Sequence, residues 1–170
     1  TITGAGTELV VDGNTAKQLG GGVCASTASI VTVSLGASLK VLNNTAVTFS
    51  GGGFYLESEG THLDVTGEGT KVVVNGNTAE TYGGGVLAKT ASTVIVSSGA
   101  SLGVLNNTAM TQSGGGFYLM SEGTQLNVAG EGTKAVVDGN TAETYGGGVS
   151  AKTASIVTVS LGASLDVLNN

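Results

Sequence analysis

The sequence predicts an all-β protein, a right-handed parallel β-helix (β-solenoid) of about five coils of about 31 residues, each built from three short strands. Three observations carry this. The core Asn-Thr-Ala recurs at Asn14, Asn44, Asn77, Asn107 and Asn140, at steps that alternate between 30 and 33 residues, so that the full period is 63. Glycine triplets starting at Gly20, Gly51, Gly83, Gly114 and Gly146 keep the same beat. Between them Val, Thr, Ile and Leu dominate in short alternating runs and proline is absent, a composition that suits continuous ladders and disfavours helices.

Taken in order from Gly22, one coil reads as strands Val23–Ala25, Ser29–Ser34 and Leu39–Val41, closed by Asn44-Thr45-Ala46 and the next glycine triplet. The following coil repeats the plan with Phe54–Leu56, Thr61–Thr66 and Val72–Val74. Alternation with a period of two gives the side-chain directions. Val23, Phe54, Val86, Phe117 and Val149 form one interior row. Pairs such as Val31 with Val33, Leu63 with Val65 and Leu126 with Val128 form two more, whereas Ile30, Thr32, His62, Asp64, Ile95, Gln125 and Asn127 face outward. Coils stacked at about 4.8 Å make a rod roughly 26 Å long. Right-handed winding follows from the crossover rule for parallel strands. The 30/33 alternation predicts a bulge in every second coil, within residues 58–70 and 121–133. Residues 1–170 form a single repeat array, which begins in mid-pattern at Thr1 and stops at Asn170 where the next motif would open, as expected of a segment from a longer repetitive chain.

The turn motif has a physical reason. An asparagine at one point of every coil can turn its amide inward and bond to the turn backbone and to the amides above and below, which predicts a ladder of Asn14, Asn44, Asn77, Asn107 and Asn140. Alanines 16, 46, 79, 109 and 142 keep the bends small, and glycines supply backbone angles that other residues resist.

Composition narrows function more by exclusion than by assignment. Charged residues are 11% of the chain and the net charge is −6, which leaves no basic footprint for nucleic acid. No apolar run approaches the roughly 20 residues of a membrane span, so no direct insertion is expected of this segment. Cys24 stands alone and reads as one small residue on a strand.

The pattern V-x-x-N-T-A followed by GGG and an apolar residue resembles the paired FxxN and GGA(I/L/V) motifs of polymorphic membrane protein repeats, found in chlamydial autotransporter adhesins. Here the first motif reads Val74-Asn75-Gly76-Asn77 or Val41-Leu42-Asn43-Asn44, and the second Gly84-Gly85-Val86 or Gly52-Gly53-Phe54. The likeness spans nearly the whole chain. It implies a right-handed β-helix at the cell surface, acting in adhesion or as a stalk.

Catalytic chemistry finds little support. Glu59 and Glu122, Glu68 and Glu131, and Glu80 and Glu143 are each 63 apart, as solvated repeat turns are, whereas an active site need occur only once. His62 and Asp64 have Gln125 and Asn127 as repeat counterparts, so no metal or catalytic role is expected of them. The glycine triplets lack the aspartate of calcium-binding nonapeptides and the Lys-Ser/Thr of phosphate loops, and no cofactor is expected. Asn43 and Asn106 open N-glycosylation sequons. Tyr55 and Tyr118, also 63 apart, are candidate surface contacts. The expected function is a non-enzymatic, extracellular structural segment of a fibre, stalk or filament that self-associates end to end or laterally. The alternative is an adhesin passenger binding a host receptor or glycan. A remote third reading, ice binding, meets an irregular outer row of Thr32, Asp64, Ile95, Asn127 and Thr158.

Overall fold

The computed structural model describes residues 1–170. It contains 22 short strands and no helix, and the strands stack in parallel into four sheets that follow one another around each coil. Sheet I begins after each glycine triplet with Val23–Ser26, Phe54–Glu57, Val86–Lys89, Phe117–Met120 and Val149–Lys152. Sheet II holds Ile2–Thr3, Ile30–Ser34, His62–Thr66, Thr93–Ser97, Gln125–Ala129 and Ile156–Ser160. Sheet III holds Glu8–Asp12, Ser38–Leu42, Lys71–Asn75, Ser101–Leu105, Lys134–Asp138 and Ser164–Leu168. Sheet IV consists of the two-residue strands Thr15–Ala16, Thr45–Ala46, Thr78–Ala79, Thr108–Ala109 and Thr141–Ala142.

The chain is thus a parallel β-solenoid of about five coils, with four strands per coil rather than the expected three. The additional strand is the Thr-Ala of the turn motif. Its main chain is drawn into ladder register because the amide of Thr45 bonds to Asn14 O, that of Thr78 to Asn44 O and that of Thr108 to Asn77 O, each at 2.8–2.9 Å. Stacking continues through the turns as well. Of 111 backbone hydrogen bonds, 57 lie outside the strands, and most of these join a turn to its copy in the next coil.

The interior rows are those that alternation indicates. Phe54, Val86 and Phe117 are fully buried, and Leu63, Val65, Val94, Val96, Leu126 and Val128 are equally closed to solvent. A further interior row, unread in the sequence, runs Ala25, Leu56, Ala88, Leu119 along sheet I and reaches the surface at Ala151 in the last coil. Its order shows how unequal coils stack. Coils that span a 33-residue step carry Phe with Leu on sheet I, and coils that span a 30-residue step carry Val with Ala. The longer perimeter encloses more space and bulkier side chains fill it, as close packing requires. Sheet III compensates in the opposite sense, with Leu39 and Leu102 in the short coils facing Val72 and Ala135 in the long ones.

The extra residues of the long coils lie in turns and leave strand lengths unchanged, where a bulge was expected. Residues 58–61 and 67–70 form four-residue connections in place of the three-residue connections 27–29 and 35–37, and residues 47–50 replace the three-residue loop 17–19. Each longer connection on either side of sheet II ends in a buried threonine that closes it. Thr61 Oγ1 donates to Glu57 O at 2.8 Å, and Thr70 Oγ1 donates to Thr66 O at 2.9 Å while accepting Gly36 N at 3.0 Å.

Glycine serves two purposes in each triplet. The first, such as Gly83 at φ +64°, takes a left-handed angle; the second, such as Gly84, lies so close to the coil above that an added Cβ would stand 2.4 Å from Thr108 O.

The asparagine ladder forms as expected. Every ladder residue donates both its main-chain N–H and its Nδ2 to the Oδ1 of the next asparagine: Asn14 to Asn44, Asn44 to Asn77, Asn77 to Asn107 and Asn107 to Asn140, all at 2.9–3.0 Å. Asn170 continues it as a sixth member, accepting both donors of Asn140. Each Nδ2 from Asn44 onward also reaches back to a valine carbonyl of the preceding coil, as Asn77 does to Val41 O at 2.9 Å. Asn44, Asn77 and Asn107 are fully buried. Replacing Asn77 by Ala strips Asn44 N and Val41 O of buried partners and takes one of two from Asn44 Nδ2, while Asn107 Oδ1 keeps the main-chain N–H of residue 77. At about 1–3 kcal/mol for each group left bare, the loss in urea unfolding is expected to reach about 3 kcal/mol or more. Asn14→Ala, at an exposed position, is expected to stay within about 1 kcal/mol. Equal losses at the two sites would contradict the ladder's role.

Candidate contact groove

The outer face of sheet I stacks Cys24, Tyr55, Leu87, Tyr118 and Ser150 in one column and Ser26, Glu57, Lys89, Met120 and Lys152 in the next. The loop entering each glycine triplet folds back over this face, because the left-handed glycine reverses the chain within one residue. Gly83 illustrates the tightness of the corner, since a Cβ there would lie 2.7 Å from Leu87 N. The loop residue just before the triplet therefore covers the outer column. Tyr82 stacks on Tyr118 with ring centroids 4.5 Å apart and planes at 27°. Tyr55, Leu87 and Tyr118 form a small apolar cluster with Leu19 and Tyr82 packed on it.

Tyr55 and Tyr118, expected as surface contacts, stand on the outward column but are only 3% exposed. They form the floor of a groove whose exposed apolar members are Phe49 at 47% and Met120 at 41%. The groove has a volume of about 380 Å³ and runs along the rod axis from Leu19 to Met120. Along one edge Tyr55 and Lys89, both lining the groove, are tied to Glu57 beside it. The Tyr55 hydroxyl donates to Glu57 Oε2 at 2.8 Å, Lys89 Nζ lies 2.9 Å from Glu57 Oε1, and the same ammonium sits 5.3 Å from the centroid of the Tyr55 ring. Opposite, Ser50 and Thr81 share a hydroxyl hydrogen bond of 2.8 Å.

These contacts set the local electrostatics. Hydrogen bonds from Lys89 and then Tyr55 hold the Glu57 carboxyl below the usual carboxylate range. Burial alone would lower Lys89, but its contacts with Tyr55 and Glu57 outweigh this and raise it. Burial raises both Tyr55 and Tyr118. Cys24, exposed at the head of the column, is raised by partial burial and by the negative charge of Glu57, so its thiol is less acidic than an ordinary one.

The other sequence candidates lie elsewhere. Asn43 and Asn106 are exposed at left-handed turn positions, each at φ +51°, in a column that alternates with Gly13, Gly76 and Gly139. Their side-chain amides bridge to the coil below, Asn43 Nδ2 to Asp12 Oδ1 and Asn106 Nδ2 to Asn75 Oδ1, each at 3.0 Å. Stacking thus accounts for asparagine at both sequons. His62 and Asp64 point outward from sheet II, and His62 Nδ1 and Asp64 Oδ1 are closed to solvent without a hydrogen-bond partner. Their counterparts one period later satisfy each other, Asn127 Nδ2 donating to Gln125 Oε1 at 2.9 Å. Glu68 and Glu131 flank Ser98 and Gly99 in an open acidic hollow on the turns between sheets II and III. No group of three or more His, Cys, Asp or Glu side chains is placed to hold a metal ion.

Tyr82, Phe49 and the Glu57–Lys89 pair were not singled out in the sequence, although two signals mark them. The residue before each triplet reads Leu, Ser, Tyr, Ser, Tyr, and Glu57 and Lys89 occupy equivalent places in adjacent coils. The chain matches no protein-family model, and neither a curated protein nor a solved structure shows significant similarity to it.

Because Glu57 is depressed in the folded state, its contribution to stability is present above the unfolded carboxyl pKa and fades as pH falls through the lower folded value. Carbon-detected NMR titration is expected to place the Glu57 midpoint below those of exposed glutamates, and Lys89→Met to move it upward. A midpoint unmoved by Lys89→Met would show that the ion pair does not set it.

Proposed function

We propose that residues 1–170 form a non-enzymatic structural segment of an extracellular surface fibre or stalk, in which alternating short and long coils extend one rod. The observation that carries this is the ladder itself: six asparagines join six successive levels by repeating bonds of 2.8–3.0 Å, so one local geometry holds along the whole array. A right-handed sense of winding, favoured by the crossover rule, belongs to the same proposal, as does kinship with polymorphic membrane protein repeats. Self-association end to end or laterally into the fibre belongs to the same proposal.

A second reading, an adhesin passenger that uses its flank, is favoured by the aromatic groove on sheet I. Ice binding is disfavoured by the column Thr32, Asp64, Ile95, Asn127, Thr158, which stacks in that irregular order on sheet II.

Two measurements test the rod at the surface. Duplicating one 63-residue unit is expected to lengthen the particle in small-angle scattering by two coil rises, about 10 Å, at unchanged cross-section. Antibodies to the segment are expected to label intact source cells or their shed fibres. Labelling confined to permeabilised cells, or an inserted unit that widens the particle, would overturn the proposal.

A further inference from the structure

We infer that the groove over Tyr55, Tyr82 and Tyr118 binds a short, neutral oligosaccharide. The inference rests on the contact-surface reading above and gives it a ligand class. Sugars present two chemistries at once, apolar C–H faces that pack on aromatic rings and hydroxyls that both donate and accept hydrogen bonds, and the groove offers a counterpart to each. Its apolar part is the half-buried Tyr82, held in place by stacking on Tyr118, with Phe49 as an exposed wall. Its polar part is the Lys89 ammonium, which lines the groove and is held 2.9 Å from the Glu57 carboxylate just beyond the lining, the two side chains being 32% and 35% exposed. A ligand hydroxyl can therefore meet either charge without ordering a mobile side chain.

Charge narrows the class. The one cation lining the groove, Lys89, is paired with the adjacent Glu57, and the chain carries −6 overall, so an anionic glycan or nucleotide gains no net attraction and meets repulsion at longer range. A peptide adding itself as a strand would need an open sheet edge, and this groove lies on a sheet face. The cavity, about 380 Å³, is of the size that holds a small ligand, and its path over the levels from Leu19 to Met120 covers about 14 Å along the rod.

The repeat supplies an independent argument. One period later Tyr55, Tyr82 and Lys89 are conserved within the chain as Tyr118, Tyr145 and Lys152, but Phe49, Glu57 and Leu87 become Gln112, Met120 and Ser150. Stacking alone therefore requires neither the carboxylate nor the Phe wall, since the next copy folds without them. The complete set occurs once in these residues, as a ligand site can and a structural element need not.

The test uses the 170-residue chain with three probes: a β-linked glucose tetramer, a β-linked N-acetylglucosamine tetramer and a uronic-acid tetramer. Saturation-transfer NMR from the aromatic protons is expected to light up C–H groups of a neutral tetramer and not of the uronic one. Tyr82→Ala is expected to weaken that affinity about tenfold or more, as loss of an aromatic anchor does. Glu57→Gln, which keeps shape and removes charge, is expected to weaken it severalfold, and Tyr145→Ala, outside the groove, to leave it unchanged. Should Tyr82→Ala lose its folded amide spectrum, Glu57→Gln alone decides. The inference is overturned if neither neutral tetramer binds, if only the uronic tetramer binds, or if Glu57→Gln leaves affinity unchanged. Such a failure would leave particle length and surface labelling untouched, so the rod and the groove can fail separately.

Discussion

One side-chain carbonyl per coil governs this molecule. The Oδ1 of each ladder asparagine accepts both the main-chain N–H and the Nδ2 of the asparagine one level away, while its own amide donates onward. A turn backbone buried in an apolar stack would otherwise leave those groups bare, a penalty comparable to the whole margin by which a small domain is stable once several coils are counted. The bond closes only when the asparagines stand directly above one another. That condition fixes the register of Thr-Ala beside it and brings the second and third glycines of each triplet to within contact of the next coil. Sequence periodicity is the visible trace of this vertical constraint.

Within that constraint the coils are free to differ in perimeter, and they alternate. The longer coils carry Phe54 with Leu56 and Phe117 with Leu119 on sheet I, the shorter ones Val86 with Ala88. Volume and perimeter therefore change together, and the core stays closed at every central level. The three extra residues of a long coil are absorbed where the outline can swell, in two turns sealed by Thr61 and Thr70 and in the loop 47–50 over sheet I. That last loop carries Phe49 to the groove. The same length alternation that packs the core thus shapes the one flank with a candidate site.

Much of the architecture was legible in the sequence because stacked structures repeat their constraints. The asparagine positions, the interior rows of Val33, Leu63 and Phe54, and the placement of the extra residues near 58–70 follow from spacing and alternation alone. The fourth strand was not legible, since Thr-Ala has two residues, too few for any alternation to register; only the hydrogen bonds of Asn14 O and Asn44 O to the next threonines make it one. Nor was the groove. Tyr55 and Tyr118 are read as outward from their position, correctly as to direction, yet Leu19 and Tyr82 fold back and cover them. Which loop residue lies over which strand depends on how a left-handed glycine turns the chain, and composition carries no trace of that.

The proposed structural and binding roles draw on opposite surfaces. The ladder and core rows face inward and recur, whereas Glu57, Phe49 and Leu87 face outward and break the repeat. Heteronuclear NMR couplings transmitted across hydrogen bonds test the inward half most directly. The backbone nitrogens of Asn44, Asn77 and Asn107 are each expected to couple to the side-chain Cγ of the asparagine in the following coil, respectively Asn77, Asn107 and Asn140. Couplings that instead join these nitrogens to carbonyls of their own coil, or their absence in a folded chain, would contradict the vertical ladder on which the fold depends.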